Sequence, residues 1–471
     1  MHVDVDLIQR YNRPLPRYTS YPTAPHFSTD VGPDTFVTAV EQSNTDASAG
    51  PLSLYVHLPF CKQLCYYCGC HMRVTHDPER IARYLSYLKR EIDAVSAALH
   101  PEREVVQLHW GGGTPTYLSA DQIGELGAHL RKRFRVADEA EISLEADPRT
   151  LTEAKVEAAR RVGFNRISIG VQDLDPEVQE AINRVQPEAH VRDAIRWSRE
   201  HGFQSINLDL VYGLPHQTVE RFRPTVDAVI DMKPDRIALF NYAHVPQIKK
   251  HQRLIADDAL PAPTEKLAIF KTALERLTAP ASDGGGEYRF IGMDHFARPD
   301  DELTRAQDAG QLHRNFQGYS TRAGADVYAF GVSGIHQLTS LYAQNVKALD
   351  AYYERIDASH PTVFRGYALT PDDRLRRHVI MELMCHFRLE KAAVERWAEA
   401  TLDRPIDFDA YFADALSALE PLADDGLVTL HDDAIAVQTN GQLLIRNVAA
   451  AFDAYLKRPA AQQRPVYSQT V

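Results

Sequence analysis

Four of the chain's five cysteines, Cys61, Cys65, Cys68 and Cys70, fall within ten residues, and Cys385 stands apart. An odd count clustered this way is not a disulfide framework; it points to metal or redox chemistry in a reducing compartment. The run Cys61-Lys-Gln-Leu-Cys65-Tyr-Tyr-Cys68 puts three thiolates on one short loop. Such a loop can hold three irons of a four-iron cluster and leave the fourth with an open coordination position. A structural zinc loop is the alternative, but zinc sites pair two distant knuckles and the chain has no second pair.

A second candidate is Trp110-Gly111-Gly112-Gly113-Thr114-Pro115-Thr116. Three glycines let backbone approach a ligand closely, and their N–H and C=O groups suit a zwitterion. Glu145 and Asp147, Gln172 and Asp173, Asp209, Tyr212 to Pro215 and Tyr242 to His244 offer carboxylates and other hydrogen-bonding groups for a polar ligand. Arg184 is a candidate clamp for a carboxylate. His57 and His109 read as inward-facing residues that hydrogen-bond their neighbours, and Cys385 as a packed helix residue. His295 and His336 stay open.

These residues need a scaffold that gathers them. Hydrophobic periodicity predicts strands over 53–58, 105–110, 141–147, 166–172, 205–211 and 236–242, alternating with helices over 78–98, 120–134, 152–162, 187–201 and 219–232. That order implies parallel strands with right-handed crossovers. One parity carries Ser53, Tyr55, His57, Gln107, His109, Glu141, Ser143, Glu145, Ser168, Asn207 and Asp209; the other carries Leu54, Val56, Leu108, Trp110, Ile142, Leu144, Ile167, Ile206 and Leu208. Helices must cover the apolar face, so the polar face lines the inside. A closed eight-stranded barrel fills its interior with branched apolar side chains. The expected fold is therefore α/β: an incomplete (β/α)6 barrel over 37–362. A proline-rich N-terminal arm over 1–36, extended across 13–26, precedes it, and a mostly helical C-terminal domain over 363–471 follows. Within that last portion, helices are expected over 374–387, 389–401 and 440–456, with a hairpin around Asp432-Asp433. The motifs fall at the carboxyl ends of the strands, the rim that carries β/α-barrel active sites.

Lys plus Arg is 52 against 64 Asp plus Glu, a formal net charge of −12. Such a chain repels polyanions, so nucleic acid is a poor partner, while a small anion could still meet a local group of arginines. No apolar run approaches a membrane span, and the N-terminal residues lack the apolar stretch of a signal peptide. A cytoplasmic location and a monomer are expected.

The C-x3-C-x2-C spacing with Tyr67 before its last cysteine resembles the radical S-adenosylmethionine superfamily. Longer segments narrow this: Tyr55-Val-His-Leu-Pro-Phe-Cys61 with Cys68-Gly-Cys70, His109-Trp-Gly-Gly-Gly-Thr-Pro-Thr116, Pro16-Arg-Tyr-Thr-Ser-Tyr-Pro-Thr23, Phe290-Ile-Gly-Met-Asp-His-Phe296, His313-Arg-Asn-Phe-Gln-Gly-Tyr319 and Leu443-Leu-Ile-Arg-Asn447. Together they closely resemble the oxygen-independent coproporphyrinogen III oxidases over nearly the whole chain.

The resemblance implies a [4Fe-4S] cluster on Cys61, Cys65 and Cys68 and two molecules of S-adenosylmethionine. One would lie near Tyr55, Gly111, Glu145 and Ile335. The other would lie near Gly112, Gly113, Gln172, Arg184, Asp209 and Ala243, with Thr114 counted in the same glycine loop. It implies coproporphyrinogen III as substrate, a separate electron donor, and conversion of two propionates to vinyl groups by a 5′-deoxyadenosyl radical. Cys70 is assigned to substrate chemistry rather than iron. The rival is a haem chaperone of similar build, whose relatives typically lack Cys70 and the Pro16–Thr23 arm; both are present here. Arg17, Arg298, Arg314 and Arg322 are available for the substrate carboxylates.

Overall fold

Alternating strands commit the chain to one buried and one polar sheet face, and the computed structural model, which describes residues 3–45, 50–456 and 467–470, builds both. Met1 and Val471, the outer limits of the expected portions, lie outside the described residues. Contacts divide the chain into two units, 27–266 with 324–368, and 1–26 with 267–323 and 369–471.

In the first unit, six parallel strands follow in chain order: Leu52–Leu58, Glu104–Gly112, Arg135–Ala146, Arg166–Gln172, Ser205–Tyr212 and Arg236–Asn241. Each pairs with the one before it, and the sixth does not return to the first, so the barrel is incomplete. The register aligns like with like. Val56, Trp110, Leu144, Ile167 and Ile206 form one row across five strands, all almost wholly buried. Removal of each such side chain from water contributes roughly 1.5–3 kcal/mol.

The opposite face is a hydrogen-bonded ladder. Ser53 Oγ donates to Gln107 Oε1 at 2.9 Å, and Gln107 Nε2 to Glu141 Oε1 at 3.1 Å. Asn207 Nδ2 donates to Ser168 Oγ at 2.8 Å, and Ser168 Oγ to Asp209 Oδ2 at 2.9 Å. Paired this way, polar groups can face inward without leaving unmet donors.

Helices Pro78–Ala98, Ala120–Arg133, Glu153–Arg161, Glu188–Glu200 and Val219–Met232 lie where periodicity places them. Their starts are chemical: Asp77 accepts from Glu79 N and Arg80 N ahead of Pro78, and Ser119 and Gln122 form a capping box. Helix Pro78–Ala98 buries Ile81, Leu85, Leu88 and Ile92, one stripe at helical spacing.

A further parallel strand, Asp326–Phe330, absent from the sequence expectation, pairs with the first strand from more than 260 residues away. Strands Ile335–Gln337, Leu341–Asn345 and Val363–Ala368 extend the sheet beyond it in antiparallel order. Arg103 and Asp326, both largely buried, pair at 2.7 Å beside it.

The second unit contains helices Pro371–His386, Lys391–Leu402 and Ala413–Asp424 and the antiparallel strands Val428–Leu430 and Ala434–Val437. The segment 267–323, read above with the barrel, groups here with the termini. It supplies two short hairpins, Arg289–Gly292 with His295–Ala297 and His313–Asn315 with Gly318–Ser320. The helix expected over 440–456 is instead two, Thr439–Leu443 and Ile445–Ala450, separated at Leu444. Every residue of the latter is buried, Arg446 and Asn447 included, and both reach back to carbonyls of the N-terminal segment, Pro16 O and Tyr11 O. That segment opens with a helix, Val5–Tyr11, and seats Tyr18 and Tyr21 wholly out of solvent. Among the described residues no helix is long and apolar enough to cross a membrane.

Candidate active site

The cysteine loop leaves the first strand at Phe60–Cys61, which pairs with Arg73–Val74. Backbone bonds stitch it to the glycine loop: Gly113 N donates to Leu58 O and Thr114 N to Phe60 O, each at 2.9 Å. Its far side is held by Asn183 Nδ2 on Leu64 O at 2.8 Å, Gln252 Nε2 on Tyr67 O at 3.0 Å and His251 Nε2 on Cys68 O at 2.7 Å. A loop tied at so many carbonyls presents its thiols in a set arrangement.

Cys65 is buried, Cys61 and Cys68 are half-buried and Cys70 is exposed. Thr114 Oγ1 lies 3.5 Å from Cys61 Sγ. Cys70 N donates to Cys68 Sγ at 3.4 Å, and Lys249 Nζ donates to Cys70 O at 3.0 Å. Hydrogen bonds from Cys70 hold the Cys68 thiol below its ordinary range.

The glycine loop is shaped by what stands behind it. A side chain on Gly112, where φ is +122°, would meet the His57 ring at 2.7 Å, and one on Gly113 would meet the Pro59 carbonyl group at 2.7 Å. Gly112 N donates to Glu145 Oε2 at 3.1 Å, and His109 Nε2 lies 3.6 Å from Glu145 Oε1. His109 Nδ1 bonds Ser143 Oγ at 2.7 Å, and its ring stacks on Tyr55. Tyr55 OH bonds His57 Nδ1 at 3.0 Å, and His57 Nε2 bonds His71 O at 2.8 Å. Burial holds His57 down at about 4, so it is a neutral ring that fixes Tyr55. Both histidines therefore hydrogen-bond neighbours, as the sequence suggests. His336 is a buried ring bonded to Ala329 N and Asn345 Oδ1, a core role; His295 packs edge-on to Tyr319 in the other unit.

Beyond Glu145 lies a group of charges that the sequence reading sees only in part. Arg184 Nη1 donates to Asp147 Oδ2 at 3.0 Å and reaches Cys65 Sγ at 3.6 Å, and its Nη2 donates to Gly170 O at 2.8 Å. Arg149 holds the same Asp147 at 2.6 Å and lies 3.5 Å from Cys65 Sγ. Burial pushes Asp147 up, but Arg184 and Arg149 outweigh it and hold the carboxyl at about 2. Arg184 Nε and Arg149 Nη1 remain buried with no acceptor among the described residues. Arg149, His71, Lys249 and His251 escaped the sequence reading. Only Arg149 carried a signal, its place two residues after Asp147 on the same rim.

Gln172 ends the fourth strand in the left-handed region, φ 66°. A side chain on Gly170 would lie 2.5 Å from its Nε2 and 2.9 Å from Arg184 Nη2, so that glycine makes room for both. Asp209 accepts from Ser168 and Asn207; burial and the Glu145 charge raise it to about 6 against those bonds. Ala243 is exposed, with its carbonyl 3.3 Å from Gln252 Nε2, and Ile335 begins its strand half-buried. Asp173 is bonded inward to Gln217 and Thr225 and is part of the core. All of these belong to the first unit.

Residues 55–229 match the Radical SAM superfamily, and residues 369–444 match the HemN C-terminal domain. The oxygen-independent coproporphyrinogen III oxidase of Escherichia coli is 47% identical, covering 98% of this chain and 97% of its own. That of Synechocystis is 43% identical over 97% of this chain and 96% of its own. The chain belongs to the oxygen-independent coproporphyrinogen III oxidases. The solved structure of coproporphyrinogen III oxidase (HemN) from Escherichia coli, described as a radical SAM enzyme, superposes with a TM-score of 0.89 at 45% identity, covering 97% of this chain and 99% of that one. Membership in the radical SAM superfamily implies a [4Fe-4S] cluster and S-adenosylmethionine. The residues of this coproporphyrinogen oxidase family member fit both: three soft thiols on one loop, two arginines turned toward one of them, and a glycine cradle that a Cβ would fill.

Proposed function

We propose that the chain performs the oxygen-independent oxidative decarboxylation of coproporphyrinogen III, converting two propionates to vinyl groups and giving protoporphyrinogen IX. What carries the reading is the convergence of the Cys61–Cys68 loop and the Gly111–Gly113 cradle on one rim, in a chain related over its full length to enzymes named for this reaction.

In this reading Cys61, Cys65 and Cys68 hold the [4Fe-4S] cluster. When bound, cluster and S-adenosylmethionine would supply a 5′-deoxyadenosyl radical able to take one hydrogen atom from a propionate β-carbon; loss of CO2 and of one electron to an external acceptor would then leave a vinyl group. Two propionates suit two molecules of S-adenosylmethionine. Tyr55, Gly111, Glu145 and Ile335 line one; Gly112, Gly113, Gln172, Arg184, Asp209 and Ala243 line the other, with Thr114 at the loop's base. Glu145 and Asp209 accept from amino or hydroxyl groups, and the buried Nε of Arg184 is available to a carboxylate. Cys70, exposed beside the loop and anchored by Lys249, acts on substrate rather than iron.

The test is anaerobic reconstitution followed by assay with coproporphyrinogen III. 5′-Deoxyadenosine, CO2 and vinyl product are expected together; stoichiometric haem binding without cleavage would overturn the reading in favour of a chaperone. Cys70→Ser should keep iron and sulfide while decarboxylation falls at least a hundredfold, and loss of the cluster would refute its assignment.

A further inference from the structure

Cations without counterions gather on one edge of the first unit, next to the segment that follows the cysteine loop. His71 Nε2 donates to Lys347 O at 2.9 Å, and Lys249 Nζ donates to Cys70 O at 3.0 Å. Cys70 and His71 are thus pinned between two lysine-bearing segments. Burial lowers His71 against its bond to Lys347 O, and the charges of Arg73, Lys249 and Lys347 lower it further. Burial lowers Lys347 too, together with the charges of Arg365 and Lys249. Arg73, Lys249, Lys347 and Arg365 therefore share one neighbourhood, and among the described residues none of the four is ion-paired. Glu145, a carboxylate that acts on Cys70, is already engaged by His109 and Gly112 N.

Arg365 is the member of this group that the fold orients. Ile335 pairs with Gln344 and Gln344 with Arg365, so the three stand in one row on one face of the sheet. Arg365 is half-buried, and its Nε donates to Gln344 Oε1 at 2.7 Å. Gln344, 6% exposed, is held in turn by its Nε2 on Ser333 O at 3.2 Å. The Phe27 and Phe364 rings lie 5.9 and 5.5 Å from the guanidinium carbon. One nitrogen of the fork is fixed, while Nη1 and Nη2 have no acceptor among the described residues. Two parallel N–H groups left open in this way match a carboxylate. Lys347 is exposed, so this edge is open to solvent.

We propose that Arg365, with Lys347 beside it, forms a carboxylate-binding subsite that receives a propionate of the tetrapyrrole substrate. The inference deepens the substrate reading above and rests on it. Arg365 and Lys347 lie in the same unit as the cysteine loop, and Ile335, in row with Arg365, belongs to the proposed S-adenosylmethionine site. The subsite also explains how a chain of net charge −12 attracts a tetracarboxylate: its uncompensated cations are local. A fork already oriented by Gln344 loses little freedom on binding.

The experiment uses reconstituted holoenzyme with Arg365→Gln, Arg365→Lys and Lys347→Gln. Arg196→Gln is the control, since Arg196 is paired with Asp193 and Glu200 on helix Glu188–Glu200. Binding of coproporphyrin III is followed by fluorescence at several salt concentrations, S-adenosylmethionine binding by equilibrium dialysis, and KM and kcat with coproporphyrinogen III. Arg365→Gln should weaken coproporphyrin binding and raise KM about tenfold, and Lys347→Gln about threefold. Added salt should weaken binding less in both variants than in the wild type. Arg365→Lys should recover part of the loss. Iron content and S-adenosylmethionine binding should stay at wild-type levels, and kcat within about threefold. If Arg365→Gln does not fold, Arg365→Lys and Lys347→Gln decide. Wild-type binding and KM in the folded variants overturn the subsite. Loss of S-adenosylmethionine affinity with coproporphyrin binding intact overturns it too, giving the fork to the cosubstrate's carboxylate. A wild-type enzyme that yields no vinyl product overturns the substrate reading itself.

Discussion

Arg149 Nη2 lies 3.5 Å from the sulfur of Cys65 while the same nitrogen grips Asp147 at 2.6 Å. A cation thus stands against one of the three thiols proposed to hold the cluster, oriented by a carboxylate that Arg184 shares.

Hydrogen bonds and positive charge at cluster sulfurs favour the reduced state and raise its potential. Arg149→Gln should therefore move the midpoint negative by roughly 40 mV, for about 1 kcal/mol in a one-electron couple. A redox titration followed by electron paramagnetic resonance reads this directly. An unchanged midpoint with full iron content would show that Arg149 serves only Asp147.

Gly113 meets backbone where a side chain would go, the Pro59 carbonyl group at 2.7 Å and Phe60 O at 2.9 Å. Backbone cannot swing aside, so Gly113→Ala must displace the strand end that launches the cysteine loop. A loss of about 1–3 kcal/mol in stability is expected, with S-adenosylmethionine binding weakened more than tenfold. Calorimetric melting and equilibrium binding would measure both, and wild-type values in each would disprove the argument.

Burial and the Glu145 charge push Asp209 up to about 6. Ribose hydroxyls donate best to an ionised carboxylate, so binding should favour the deprotonated form. Affinity should then fall as pH drops through this value, by about fourfold between pH 7.5 and 5.5. Asp209→Asn should bind more weakly at pH 7.5 and lose that part of the dependence. A wild-type pH profile in the variant would remove Asp209 from the site.

Glu91 is a structural counterpart, 5% exposed within helix Pro78–Ala98. It accepts from Gly331 N at 2.6 Å, Asn345 Nδ2 at 3.0 Å, Tyr352 OH at 2.7 Å and Thr362 Oγ1 at 2.5 Å. Glu91→Ala strips four buried donors of their acceptor and should cost about 3–5 kcal/mol, read as a lower urea midpoint at unchanged slope. Glu91→Gln, which keeps one acceptor oxygen, should lose less. Equal loss in both would mean charge rather than hydrogen bonding is what matters there.

Much of the first unit was legible because its signals are local. Alternation along 53–58 or 205–211 assigns faces from neighbouring residues, and Val56, Trp110, Leu144 and Ile167 fall into one buried row because each obeys the same period. The cysteine loop was equally plain, since its spacing alone puts three thiols together. Tyr55 and Glu145, with the inward-facing His57 and His109, came into contact because adjacent parallel strands in register must bring them there.

What composition and periodicity by themselves determined, then, was the barrel type, its polar interior and the chemistry of one loop. Tertiary structure decided the rest: that Asp326–Phe330 closes on the first strand, that Arg149 and Arg184 both turn to Cys65, that the expected 440–456 helix breaks at Leu444, and that Arg314 Nε and Nη1 are buried with no acceptor among the described residues. Hydrophobic period is set by residues a few positions apart, whereas these features depend on which distant segments exclude water from one another. A side chain's donors are counted as met or unmet only after that exclusion is complete.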